Sequence, residues 1–200
     1  MSALHYVREQ FAQSVATKEK AVLILGDKLV VAANLLIQRL VAGGKVLTCG
    51  NGGSAADAQH FASELLNRFE LVRRGLPAIA LTTDASTITS IANDFQFEEV
   101  FSRQVAALAR PGDVLLAIST SGNSPNIEAA VKAAIQNDVV IVGLTGRDGG
   151  KLAHLLRPQV DVELRVPAQS TARIQETHIL MIHCICGLID QHFSTRGESP

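Results

Sequence analysis

The 200-residue chain has no tryptophan and a single tyrosine. Proteins that grip single-stranded nucleic acid stack its bases on aromatic rings, so this chain has little to build such a platform with. It also lacks an excess of either charge. Its 18 Lys and Arg against 19 Asp and Glu are scattered, with no basic stripe to neutralise a phosphate backbone. Three cysteines, Cys49, Cys184 and Cys186, form no CxxC pair and leave an odd count. A disulfide scaffold is excluded, and all three are read as small buried apolar residues in a reducing compartment. The opening "MSALHYVREQFAQ" is amphipathic and lacks a signal-peptide core, and no uninterrupted apolar run approaches the roughly 20 residues that span a bilayer. A soluble cytoplasmic protein is expected. With 47% hydrophobic residues the chain has enough apolar material for one well-buried domain and too much for disorder.

Two patterns share the chain. Up to residue 43 it reads as two helices, the first with Leu4, Val7, Phe11 and Val15 on one face. The second, "DKLVVAANLLIQRLVAGG", is apolar over a wide arc and stops at Gly43-Gly44. Such a helix must be covered on more than one side, by its own chain or by another copy. From residue 45, short apolar runs at 45–49, 77–81, 113–118, 139–144 and 160–166 alternate with helical patterns at 54–68, 86–93, 97–109, 124–136 and 170–192. Strands that are apolar throughout, separated by helices, predict a parallel sheet covered on both faces: one α/β domain, residues 1–200, with 1–44 as a helical extension.

In open parallel sheets ligands sit beyond the carboxyl ends of the strands. Three loops at those ends are rich in glycine and polar side chains: "GNGGS" (50–54), "STSGNS" (119–124) and "TGRDGG" (145–150). Hydroxyls and free N–H groups at a helix start suit a phosphate monoester, and the glycines let backbone approach a sugar. Ser54 is expected to cap its helix with Asp57 three residues on, and Ser124 to cap the next. No "GK[ST]" follows either loop, which excludes a Walker A site. Gly50-x-Gly52-x-x-Ala55 has dinucleotide spacing, but Glu70 falls at a helix end rather than at the end of a second strand, where the ribose-binding acid belongs.

His60 and Glu64, four residues apart, project from one helix face. Alone they read as a surface pair worth a few tenths of a kcal/mol. A second cluster, "TARIQETHILMIH" (171–183), adds Arg173, Gln175, Glu176, His178 and His183 on an otherwise apolar helix. Gln175 and His183 are eight residues apart, about 80° around an ideal helix. Brought together, two histidines, a carboxylate and a carboxamide either bind Zn²⁺ or supply an acid/base pair. Spacing does not choose between the two.

"CGNGGSAADAQHFASELLNRF", "IANDF", "AISTSGNS", "LTGRDGG" and "ARIQETHILMIH", in this order over nearly the whole chain, resemble the phosphoheptose isomerases of the sugar-isomerase (SIS) superfamily. The resemblance implies a flavodoxin-like three-layer α/β/α fold around a five-stranded parallel sheet. It also implies conversion of sedoheptulose 7-phosphate to D-glycero-D-manno-heptose 7-phosphate, at the entry to lipopolysaccharide heptose, by a homotetramer with active sites at subunit interfaces. By motif, Glu64 matches the family's general base and His183 its general acid. His60, Glu64, Gln175 and His183 match a zinc site, one ion per subunit, used by some members. Asn51, Gly52, Gly53, Glu64, Asn93, Asp94, Ser119, Thr120, Ser121, Ser124 and Gln175 match substrate contacts. A paralogous group that associates with the replication initiator and acts by binding protein is similar in "LPAIALTTD" and "HCICGLID", but its pattern lacks the glutamate kept here as Glu64. A sugar-phosphate-sensing SIS module without turnover would need none of the acid/base set.

Overall fold

A computed structural model describes residues 1–194; the last six residues of the expected 1–200 domain lie outside the described residues. Five strands, β1 (Val46–Cys49), β2 (Ala78–Ala80), β3 (Val114–Ile118), β4 (Val140–Gly146) and β5 (Val162–Val166), form one sheet in the order β2-β1-β3-β4-β5. Every pairing is parallel. The order reverses at β1, so the carboxyl ends of β1 and β3 flank the switch point where such sheets open a crevice.

Side chains alternate across the sheet as strand geometry requires. Val46, Val114, Leu116, Val142 and Leu164 face one core, while Leu47, Cys49, Leu115, Ala117 and Ile141 face the other. The first core is closed by α1 (Ala3–Val41), α2 (Gly53–Leu66) and α7 (Thr171–Ser194), through Leu36, Phe61 and Ile182. The second lies under α3 (Ala85–Asp94), α4 (Ser102–Leu108), α5 (Pro125–Gln136) and α6 (Gly150–Leu155). This is the α/β/α sandwich.

Several local expectations need correction. The first 43 residues form one 39-residue helix, not two. Nothing between the two apolar patterns breaks it: there is no proline, and an added Cβ at Gly26 would meet only ordinary contact with Val22. Joining the patterns also changes the membrane reading, because α1 is now long and apolar enough to cross a bilayer by length and composition. Asp27 and Lys28 interrupt it, and Ala32, Ala33, Leu36 and Leu40 are buried against the body of the protein. The pattern at 97–109 splits into a 3-10 turn, Phe97–Glu99, and α4, because Val100 and Phe101 turn into the second core between them. The short α6 lacks a long period to announce it. Cys49 and Cys186 are buried as expected, but Cys184 is exposed.

Candidate active site

The apolar strand β1 delivers the chain to "GNGGS" at the sheet's carboxyl edge, where α2 begins. Its N-cap is Gly52, at φ 57°, ψ −121°, a conformation that L side chains rarely adopt. Ser54 is therefore inside the helix and buried, and it does not cap it. At Gly53 a Cβ would lie 2.0 Å from Nε2 of Gln175, so α7 reaches in here, with the end of a flexible side chain that could move aside.

α2 and α7 run side by side in the same direction. Gly53 meets Gln175, and seven residues further along α2 His60 Nε2 lies 3.0 Å from His183 Nε2. Glu64, one turn beyond, places Oε1 3.3 Å from the same His60 nitrogen. His183 is half-buried, with Phe69 stacked on it at 5.2 Å and 23° and the His60 ring edge-on at 5.2 Å and 63°. The fold thus unites three of the four candidates around His60 Nε2, and Gln175 lines the next stretch of the seam. There Gln175, Asp57, Gly53 and Glu176 border a cleft of about 400 Å³. Cys186, buried beside the cluster, is held neutral: burial first, and then the Glu64 carboxylate, raise its thiol pKa.

Asp57 is in this cleft, although the sequence suggested only a capping role for it. Its Oδ2 is buried with no hydrogen-bond partner among the described residues. Burial pushes its carboxyl up to about 6, while His60 pulls in the opposite direction. The only hint in the sequence was a carboxylate one turn before His60. The rest of the "TARIQETHILMIH" cluster disperses. Arg173 is buried and donates to the Gln10 carbonyl and to Glu176. His178 faces the sheet, its Nε2 2.9 Å from the Thr145 carbonyl, and burial pushes its pKa down to about 4.

The second loop meets the first through a reciprocal amide pair. Asn51 and Asn126 each donate to the other at 2.8 Å, so the Asn51 amide is oriented by α5 while one N–H and one oxygen lone pair stay available to a ligand. Ser124 is the α5 N-cap by position, but its hydroxyl makes no capping bond; it lies 3.1 Å from the Ser119 hydroxyl. Gly122 N–H donates to the Ser119 carbonyl, and Asn123 N–H to the Ser121 hydroxyl. Residues 145–150 fold onto this turn, and just beyond them Lys151 N–H donates to Asn123 and Leu152 N–H to the Gly122 carbonyl. Thr120 is half-buried among these groups. Asn93 and Asp94 are not brought into the cluster. They are exposed at the end of α3, where Asn93 Nδ2 donates to Asp94 at 2.9 Å.

The SIS domain family matches residues 8–146. The phosphoheptose isomerase of Alkalilimnicola ehrlichii is 58% identical over 184 residues, 92% of this chain and 93% of that protein. The chain belongs to the phosphoheptose isomerase family. A phosphoheptose isomerase of Shewanella sp. (strain ANA-3) is 55% identical over 195 residues, 98% of each chain. The solved phosphoheptose isomerases of Neisseria gonorrhoeae and Francisella tularensis superpose with TM-scores of 0.91 and 0.93, at 53% and 45% identity. They cover 95% and 96% of this chain, and all of each of those chains is matched.

The four side chains expected from the resemblance to hold zinc have donor chemistry that would suit it: two imidazoles, a carboxylate and a carboxamide oxygen. Among the described residues no three His, Cys, Asp or Glu side chains are already set out around an ion position. His60 Nε2 instead bridges the two groups that would share the ion.

Proposed function

We propose that this phosphoheptose isomerase interconverts sedoheptulose 7-phosphate and D-glycero-D-manno-heptose 7-phosphate through an enediolate. The observation that carries the reading is the meeting of His60, Glu64 and His183 on the α2–α7 seam, beside the loops at the carboxyl ends of β1 and β3. The Glu64 carboxylate takes a proton from C1 of the ketose. The C–H pair becomes the C1–C2 double bond, and the carbonyl pair moves to O2, which takes a proton from His183. Return of the O1 proton to His183 and of a proton from Glu64 to C2 then yields the aldose, with both residues restored. Phosphate, remote from these carbons, is held by Ser119, Thr120, Ser121 and Ser124 and the α5 N-terminus, and it orients the sugar. Gly52, Gly53 and the Asn51 backbone line the sugar's path, with Gln175 opposite and Asn93 and Asp94 as outer contacts.

His60, Glu64, Gln175 and His183 would hold one zinc ion per subunit, which when bound would stabilise negative charge on the substrate oxygens. The enzyme acts in the cytoplasm as a homotetramer with interfacial sites, at the head of lipopolysaccharide heptose synthesis. Exposed Leu4, Phe11, Val15 and Leu23 on α1 support the assembly, since a second copy would cover them. Glu64 beside His60 favours the isomerase over the initiator-binding reading. The test is isomerisation of sedoheptulose 7-phosphate by wild type and Glu64→Gln, each metal-stripped and then zinc-reloaded. Turnover by wild type alone, restored by zinc, is expected; a folded wild type with no turnover under any condition would overturn the reading.

A further inference from the structure

We propose that the buried Arg73–Asp190 pair is a positioning device for the reaction: it pins the strap between α2 and β2 so that Phe69 lies flat on His183 and the Glu64 turn of α2 stays in place. The proposal rests on the isomerase reading. Residues 67–77 have no regular structure, yet the middle of this strap is bolted from inside. Arg73 is buried, and its guanidinium reaches five oxygens. Nε donates to Asp190 Oδ1 at 2.7 Å, and Nη2 to the Glu64 carbonyl at 2.8 Å. Nη1 reaches the carbonyls of Leu65, Asn67 and Arg74 at 3.0, 3.4 and 2.9 Å. Asp190 Oδ2 accepts the Glu70 and Leu71 N–H groups, both at 2.8 Å.

Every oxygen of the pair is used, which is the condition under which a buried ion pair offsets its desolvation. The carbonyls of Glu64 and Leu65 belong to the end of α2, where no helical N–H reaches them. Arg73 thus clasps the backbone of the residue proposed as base. Asp190 is seven residues beyond His183, two helical turns along the same face of α7. Between the strap's two anchors, Glu70-Leu71 on Asp190 and the α2 terminus under Arg73, Phe69 has little freedom. Its ring covers one face of the His183 imidazole and leaves the Nε2 edge toward His60.

The test uses the full-length, zinc-loaded protein. Phe69→Leu keeps apolar volume and removes the ring; kcat should fall roughly 10- to 100-fold with KM within about twofold, and Phe69→Tyr should restore kcat. In resting protein with labelled histidine, the ring-current shift of the His183 ring protons should be present in wild type and Phe69→Tyr, and lost in Phe69→Leu. It should also be lost in any Asp190→Asn protein that folds. Unchanged kcat in Phe69→Leu, or a ring shift that survives in folded Asp190→Asn, overturns the proposal. Wild-type protein that carries the ring shift but turns over no substrate overturns the isomerase reading instead, so the two failures are distinguishable.

Discussion

The proposed reacting end of the site, around His60, Glu64 and His183, and the proposed phosphate end, around residues 119–124, hold their polar groups by different means. At the reacting end, side chains from helices more than a hundred residues apart meet at single atoms, and a buried charged pair braces them from behind. At the phosphate end, hydroxyls and N–H groups are arranged by one local turn, stitched to its neighbours by Asn123 and by the Asn51–Asn126 pair. Proton transfer demands that two groups address two adjacent atoms, and small displacements are costly. A phosphate needs several donors around a roughly spherical charge and tolerates the loss of one. The two ends should therefore respond differently to mutation.

The largest effect should come from Glu64→Gln, which keeps the shape of the side chain and removes the proposed base. A fall in kcat on the order of 10²- to 10⁴-fold is expected, with substrate affinity by calorimetry nearly unchanged. Near-wild-type turnover would show that the reacting end does not use this carboxylate.

Arg73→Met should cost about 3–5 kcal/mol of stability in urea unfolding, because it leaves Asp190 buried without its charged partner and takes the guanidinium from the Glu64 carbonyl at the end of α2. An exposed pair such as Lys132–Glu128 should cost at most about 1 kcal/mol when broken. Equal losses at both would erase the distinction between a braced and an unbraced region.

Two buried titratable groups of opposite sign, His178 on α7 and Asp57 on α2, make a sharper comparison. His178 titrates near 6.5 in the unfolded chain, but burial holds it to about 4 in the folded one. Between those values the unfolded state takes up a proton that the folded state refuses, so stability falls as the pH drops, by up to about 3 kcal/mol. His178→Gln should flatten this acid limb relative to wild type in thermal melts from pH 7 to 4. Asp57 acts in the opposite sense: its folded pKa is raised to about 6, so it gains stability as the pH falls from there toward 4. Subtracting the wild-type curve isolates the His178 contribution.

The smallest effect is expected at the proposed phosphate end. Ser119→Ala and Ser124→Ala should each raise KM by roughly 5- to 15-fold, about 1–1.5 kcal/mol for a hydrogen bond, with kcat within about twofold. The unphosphorylated ketose, assayed with the same variants, should show no change. A collapse of kcat instead would place these hydroxyls among the reacting groups.

Much of the scaffold was legible in the sequence. Uniformly apolar strands need cover on both faces, and that alone predicts parallel order with the loops at the carboxyl edge; all five strands fall where the apolar runs are. Chain punctuation was harder to read. Gly26 was too weak a breaker to end α1, and Ser54 lost the capping position to Gly52, whose conformation a serine side chain would oppose. His60 and Glu64 were legible as a pair because helix periodicity is local. The spacing of Gln175 and His183 placed them on one side of α7, and His178, five residues before His183, turns to the sheet. The roles of Phe69, Arg73, Asp190 and Asn126 were not legible, since each depends on a partner from a distant segment.

By itself, then, the sequence determined what short-range sterics and burial dictate: the five strands in order, most of the helices between them, the parallel sheet, and loops rich in glycine and hydroxyls at its carboxyl edge. The tertiary structure decided which groups meet. His60 and His183 are 123 positions apart and share a hydrogen bond only because α2 and α7 pack in parallel on one face of the sheet. That packing, with its buried Arg73–Asp190 bolt, depends on the whole first core, and no local pattern encodes it.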